Sequence, residues 1–246
     1  MLKAMERYIF LVFRISQRRS NTGRTFFYSR AKDIYSGTKD IYEFIDELRS
    51  RTDDPNIGHD SSMKKFQDYI NELFQSDDET SQGFTEWEGL RYFLFEYELN
   101  LQGDQESKVT WESFNRSNTI EHIYPQTPKD ECWEKAFRSM KKENRRRLLH
   151  TLGNLLLLSK KKNSQQQNFC FDYKIKHESR FTKGAFEGYF NGSYSEIELT
   201  QYKSWSSKEI LDRGIRLLEF MEQRWNFRIG DRVKKKIILK LDFLHG

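Results

Sequence analysis

Two short apolar runs, Thr119 to Tyr124 and Leu155 to Leu158, constrain this chain more than any other feature. The first is β-favouring and ends at Pro125, as a strand entering a turn does. The second is an all-leucine stretch just after Gly153 and Asn154, a buried-strand pattern. Between them, Asp130 to His150 reads as two helical pieces; after them, Lys160 to about Lys176 returns to helix or helix-like loop. Strand, insertion, strand, helix is the order of a ββα unit, expected here over residues 118–178.

The flanks carry helical periodicity. Leu2, Met5, Tyr8, Ile9, Val12 and Phe13 share one face of an N-terminal helix over residues 1–15. No capping residue precedes it, so it either frays or marks where a longer homologue continues upstream. Residues 17–30 are polar and basic and read as a loop. A helix is expected from Ile34 to Arg49, another from Met63 to Phe74 and a strongly amphipathic one from Trp87 to Leu99. Arg51 to Ser62, with Pro55 and Gly58, reads as a linker, and the acidic run Asp77 to Glu79 ends the helix before it. Residues 1–117 are thus a helical scaffold. Residues 179–246 are a C-terminal helical extension containing a helix from Ser207 to Trp225, with 231–246 a basic strand or helix docked on the scaffold. The expected fold class is α+β, mostly α-helical, with the ββα unit between flanking helices.

The chain is only 36% hydrophobic, but 15% is aromatic, and large rings still permit a packed core. A net charge of +5 allows a polyanionic partner without requiring one. The two cysteines, Cys132 and Cys170, are far apart and in no Cys-x-x-Cys pair, which argues against a disulfide framework and a Cys-rich zinc site. No apolar stretch approaches the ~20 residues that span a bilayer. Without a signal-peptide pattern, the cytoplasm is the default compartment.

The ββα segment also carries the only grouping that points to a chemistry. Phosphodiester hydrolysis needs a base to activate water, a cation at the developing charge and positive groups on the backbone. His122 suits the base, since a neutral imidazole accepts a proton near pH 7. Glu121 would face away from it in mid-strand; at a strand end running into Tyr124-Pro125 it can turn toward a hard cation. Asn163 offers a neutral oxygen, and carboxylate plus amide oxygen suits Mg²⁺. Asn154 is placed to brace the two strands. Lys174 and the run Lys160, Lys161, Lys162 could hold phosphates. Each residue also has a bland reading: a structural histidine, a turn asparagine, a solvated lysine face, a surface ion pair. Their joint occurrence in this order is what favours a site.

Glu121-His122-Ile123-x-Pro125-Gln126, then Trp133, then Leu152-Gly153-Asn154-Leu155-x-Leu-Leu, then Asn163, Phe171 and Lys174 resemble the HNH-like (ββα-metal) nuclease domain of GmrSD-type Type IV restriction enzymes. The first and last blocks are also similar to the HNH domain of RNA-guided CRISPR effectors. The likeness is densest over 118–176 and looser at Met5 to Tyr8, Trp87 to Glu98 and Trp205 to Trp225. It implies that His122 is the general base, that Glu121 and Asn163 are metal ligands, and that Asn154 is the middle residue of a His-Asn-Asn variant. That set favours Mg²⁺ or Mn²⁺ over softer ions. Glu121 stands where Asp is commoner. The family's upstream nucleotide-hydrolysing, DNA-sensing domain has no counterpart here, for the chain lacks a Gly-x-x-x-x-Gly-Lys-Ser/Thr loop.

The expected function is therefore a metal-dependent DNA endonuclease acting in defence against foreign DNA. Arg145, Arg146 and Lys160 to Lys162 would contact phosphates rather than bases. A separate NTPase-like protein is an expected partner. One HNH site cuts one strand, so a double-strand break would need two events or a homodimer. The alternatives are a catalytically inert nucleic-acid-binding or partner subunit of a split restriction system and, behind it, an RNA-directed nuclease.

Overall fold

A computed structural model of the chain describes residues 1–53, 60–75, 81–116 and 118–244; Pro55 and Gly58 of the expected linker and the acidic run Asp77 to Glu79 lie outside the described residues. Helix α1 (Leu2–Ile9) runs into a wider π-helical segment (Phe10–Ile15), then α2 (Arg24–Tyr35), α3 (Ile41–Ser50), α4 (Met63–Gln75), α5 (Leu90–Gln102) and α6 (Trp111–Arg116). The ββα unit follows: β1 (Asn118–His122), the inserted helices α7 (Glu131–Phe137) and α8 (Lys142–His150), β2 (Leu155–Ser159), α9 (Lys160–Gln166) and α10 (Phe171–Ile175). The two-residue strands β3 (His177–Glu178) and β4 (Phe186–Glu187), then α11 (Tyr194–Leu199), α12 (Ser207–Trp225) and α13 (Arg232–Ile238), complete the chain. The fold is the expected mostly helical α+β class, with two separate two-stranded sheets.

The N-terminal reading needs correction. Residues 17–30 are not all loop, because α2 begins at Arg24 behind Gly23, which takes the left-handed conformation at φ 77°. The expected single helix over 34–49 is two. A turn separates α2 from α3, whose start is fixed by a capping box: the Asp40 side chain accepts from the Tyr42 and Glu43 amides, and the Glu43 carboxylate accepts from the Asp40 amide. Residues 231–246 contain a helix, α13, capped by the Asp231 side chain.

Apolar faces from all three segments meet in one buried cluster that runs from Phe10 and Leu11 through Phe93 and Leu155 to Leu217 and Leu241. A smaller cluster of Tyr8, Val12, Phe44 and Leu48 holds α3 against α1. The N-terminal helix is also tied by polar groups. Glu6 Oε1 accepts from Tyr92 Oη and Trp225 Nε1, both at 2.7 Å. Arg7 donates to the Trp225 carbonyl at 2.7 Å and the Asn226 carbonyl at 2.8 Å. Phe10 stacks on Trp225 with ring centroids 3.6 Å apart. All of these but the Glu6–Tyr92 bond join residues over two hundred positions apart, so α1 is an integral layer of the core. No described helix is long and apolar enough to cross a membrane.

The cysteine expectation is overturned. Cys132 on α7 and Cys170 at the N-cap of α10 are disulfide-bonded, with Cα atoms 6.1 Å apart. Separation in sequence said nothing about separation in space, because the strand pair folds the chain back and brings the insertion onto the α9–α10 junction. Closing a loop of this size removes unfolded-chain entropy worth about 3–4 kcal/mol. We expect Cys132→Ser, or reduction of the wild type, to lower unfolding stability by about that much. Urea denaturation with and without dithiothreitol measures it; coincident midpoints would show that the bond does not contribute.

Candidate functional site

The site is built on β1 and β2, which pair antiparallel with Glu121 opposite Leu156 and His122 opposite Leu155. Leu155 to Leu158 are buried on both faces, which explains the continuous leucine run. The pairing is closed at its end by Asn154, which is fully buried. Its Oδ1 accepts from the Tyr124 amide at 2.8 Å and Trp205 Nε1 at 3.0 Å, while its Nδ2 donates to the Tyr124 carbonyl at 3.0 Å and the Leu149 carbonyl at 2.9 Å. A carboxamide has two donors and two acceptor positions, and all are satisfied here. Asn154 thus braces the strands, as its place in the sequence suggested. Gly153 beside it lies against α12: a Cβ there would run into the Ile210 carbonyl and the backbone of Gly214. Arg213 of α12, also fully buried, donates to the Gly153 and Leu155 carbonyls at 2.9 Å.

Glu121 and His122 have separate surroundings, as neighbours on a strand do. The Glu121 carboxylate accepts from Lys174 Nζ at 2.5 Å, and Lys174 also donates to the Ile123 carbonyl at 3.1 Å. Burial pushes the Glu121 carboxyl up and the Lys174 ammonium down, and each partner opposes the shift of the other. Tyr189 lies on this side with its hydroxyl buried and without a partner among the described residues, and burial followed by the Glu121 and Glu196 charges raises it far above the usual phenol range. Asn163 Nδ2 donates to Thr119 Oγ1 at 2.8 Å. Thr119 shares the Glu121 face of β1 two residues away, so Asn163 is on that face without meeting the carboxylate.

His122 meets a different set. Its Nδ1 is 3.4 Å from Gln126 Nε2, its Nε2 is 3.4 Å from Thr85 Oγ1, and its ring stands perpendicular to that of His150 with centroids 5.2 Å apart. Burial above all, then His150 and Lys174, pushes the His122 imidazole down to about 3; burial, then Arg146, pushes His150 down to about 4. Both rings are therefore neutral at pH 7. Sequence reasoning missed His150 and Thr85. His150 ends the basic helix α8 and differs in sequence from a surface histidine only in its place just before Leu152-Gly153-Asn154.

The family model for GmrSD restriction endonucleases, C-terminal domain, matches residues 64–220, which is most of the chain and includes the whole ββα unit. The chain belongs to this family. No curated protein and no solved structure matches it.

Several roles expected for a GmrSD C-terminal domain are not open in this arrangement. Lys174 is not available to phosphate: it is fully buried and its ammonium is held by Glu121. Lys162 is likewise engaged, donating to Glu196 Oε1 at 2.5 Å and the Gly188 carbonyl at 3.2 Å. Arg146 donates to the Ser81 carbonyl at 3.2 Å, and Arg145 is partly buried near Tyr124. Lys160 and Lys161 are exposed. A divalent ion shared by Glu121 and Asn163 would need both oxygens within ~2.0–2.6 Å of one point. With an ammonium on the carboxylate and the Asn163 amide turned to Thr119, these residues do not fit the ion as placed.

Two outcomes follow. Lys174→Met leaves the Glu121 charge buried without a counter-ion and should cost ~3–5 kcal/mol, whereas Glu121→Leu combined with Lys174→Met should cost less than either change alone. A double-mutant cycle by chemical denaturation measures this, and strict additivity would mean no coupling between the two. His122 and His150 have folded pKa values below the unfolded 6.5, so the unfolded chain binds more protons as pH falls from about 6.5 toward 4 and 3. Their stabilisation is fully present above pH ~6.5 and lost across that window. His150→Phe should flatten the stability-versus-pH curve there; an unchanged slope would show that His150 is not held neutral.

Proposed function

We propose that this chain is a DNA endonuclease that hydrolyses phosphodiester bonds, with His122 as the base. The observation that carries this reading is the buried, neutral imidazole of His122 at the end of β1 in a ββα unit. Membership of a restriction-endonuclease family supports the reaction class. His122 takes a proton from water as the water oxygen bonds to phosphorus, and the sugar oxygen leaves. An imidazole held neutral by burial binds that proton weakly, and the negative phosphodiester beside it offsets the cost. Asn154 positions the turn at Tyr124 and so orients the His122 end of the strand. Lys160 and Lys161, with Arg145 at the rim, are the proposed backbone contacts. Mg²⁺ or Mn²⁺ is the proposed cofactor, supported by the family; Glu121, as the partner of Lys174, is not assigned as its ligand. Action against foreign DNA in the cytoplasm, together with a separate NTPase-like partner, completes the reading.

The engaged state of Glu121 and Lys162 favours a second reading, an inert partner subunit of a split system. Nicking of supercoiled plasmid in Mg²⁺ or Mn²⁺ separates the two. The wild type should nick, with activity falling steeply as salt rises, and His122→Ala should lose about 10²–10⁴-fold. Equal nicking by both proteins removes His122 from the mechanism. A folded wild type inert on plasmid, single-stranded DNA and RNA with both ions supports the second reading.

A further inference from the structure

The face of the strand pair opposite Glu121 brings two imidazoles together in a way the proposed hydrolysis does not use. His122 and His150 are each 7% exposed, with rings at 89° and centroids 5.2 Å apart. His150 Nδ1 is buried with no hydrogen-bond partner among the described residues, although buried polar atoms are nearly always paired. Among the described residues, the His122 nitrogens have only contacts of 3.4 Å to Thr85 Oγ1 and Gln126 Nε2, at the long edge of hydrogen bonding.

We propose that His122 and His150 form a two-histidine site for a borderline transition-metal ion of the Zn²⁺ class, separate from the Glu121 face. Two imidazoles on one tetrahedral ion, with Zn–N near ~2.0–2.1 Å, place their ring centres about 5 Å apart. Thr85 Oγ1, 3.4 Å from His122 Nε2, and water can fill the remaining positions of an ion bound at that nitrogen. Imidazole suits Zn²⁺, Ni²⁺ and Cu²⁺, whereas Mg²⁺ prefers oxygen. Arg146 and Lys174 act electrostatically on His150 and His122 respectively, so the site selects an ion held by nitrogen coordination rather than by charge alone. When filled, it occupies a His122 nitrogen and inhibits hydrolysis. That consequence rests on His122 being the base; the binding does not.

Calorimetric titration with Zn²⁺ alone tests the site, using oxidised protein without reductant so that Cys132 and Cys170 stay bonded beside Asp130. The wild type should bind one ion. His150→Phe, which keeps a ring in the core, and His122→Ala should each weaken binding by more than the ~10–100-fold typical of outer-shell changes. Near-UV circular dichroism confirms that each variant is folded. No saturable binding to the wild type, or unchanged binding to a folded His150→Phe protein, overturns the proposal. A plasmid assay in Mg²⁺ with added Zn²⁺ then separates the two ideas. Inhibition that tracks occupancy supports both; full occupancy without inhibition leaves the metal site standing and removes His122 as the base.

Discussion

The Asn154 carboxamide is the interaction on which the site depends. With both acceptor positions and both donors engaged, it fixes the Tyr124 backbone, the end of α8 at Leu149 and the Trp205 indole at once. No other side chain is so short and carries two donors and an acceptor in one plane. Aspartate would turn the two donated bonds into carboxylate–carbonyl repulsions. Gly153 makes this placement possible, because only a residue without a Cβ lets the strand approach α12 closely enough for Arg213 to reach its carbonyls. The Leu-Gly-Asn-Leu sequence is thus a packing device first: it joins helix, strand and C-terminal extension in four consecutive residues.

From that brace, the alternation of β1 determines what can meet what. Glu121 falls on the side of α10 and Tyr189, His122 on the side of α8 and Thr85. A shared site for carboxylate and imidazole would require the strand to twist or bulge at its end, and the antiparallel ladder instead runs through His122 to Leu155. The buried ammonium of Lys174 answers the Glu121 charge in the place a cation would take. A buried ion pair of this kind adds little net stability over an apolar pair, yet breaking it is costly. It therefore fixes where α10 docks, and the Cys132–Cys170 bond pins the N-terminus of the same helix.

Much of this was legible in the sequence. The Pro125 stop, the leucine run and the order of elements gave the ββα unit, and aromatic residues at helical spacing gave the scaffold helices. Asn154 between Gly153 and Leu155 was recognisable as a brace. What was not legible is tertiary. Lysine is rarely buried, so the sequence reads Lys174 as a phosphate contact; nothing local shows that Glu121 lies within hydrogen-bond reach of it. The cysteines were judged by their sequence distance, and only the fold-back of the strand pair makes them neighbours. The break between α2 and α3 was readable, since Asp40-x-x-Glu43 is a capping box, but the apolar periodicity on either side masked it.

The same distinction applies to charge. A net excess of five positive groups permits a polyanionic partner without requiring one, and several of the cations nearest the site act inward. Lys174 neutralises Glu121, Lys162 neutralises Glu196 at the start of α11, and Arg213 satisfies strand carbonyls. Arginine and lysine are used here as long donors that reach buried carboxylates and backbone oxygens. Lys160 and Lys161, at the start of α9 directly after β2, are exposed instead. These lysines follow Ser159, which pairs with Asn118, so they stand at the far end of the strand pair from His122, which pairs with Leu155. The brace therefore holds the His122 end of the strand pair, while the exposed lysines mark the other end.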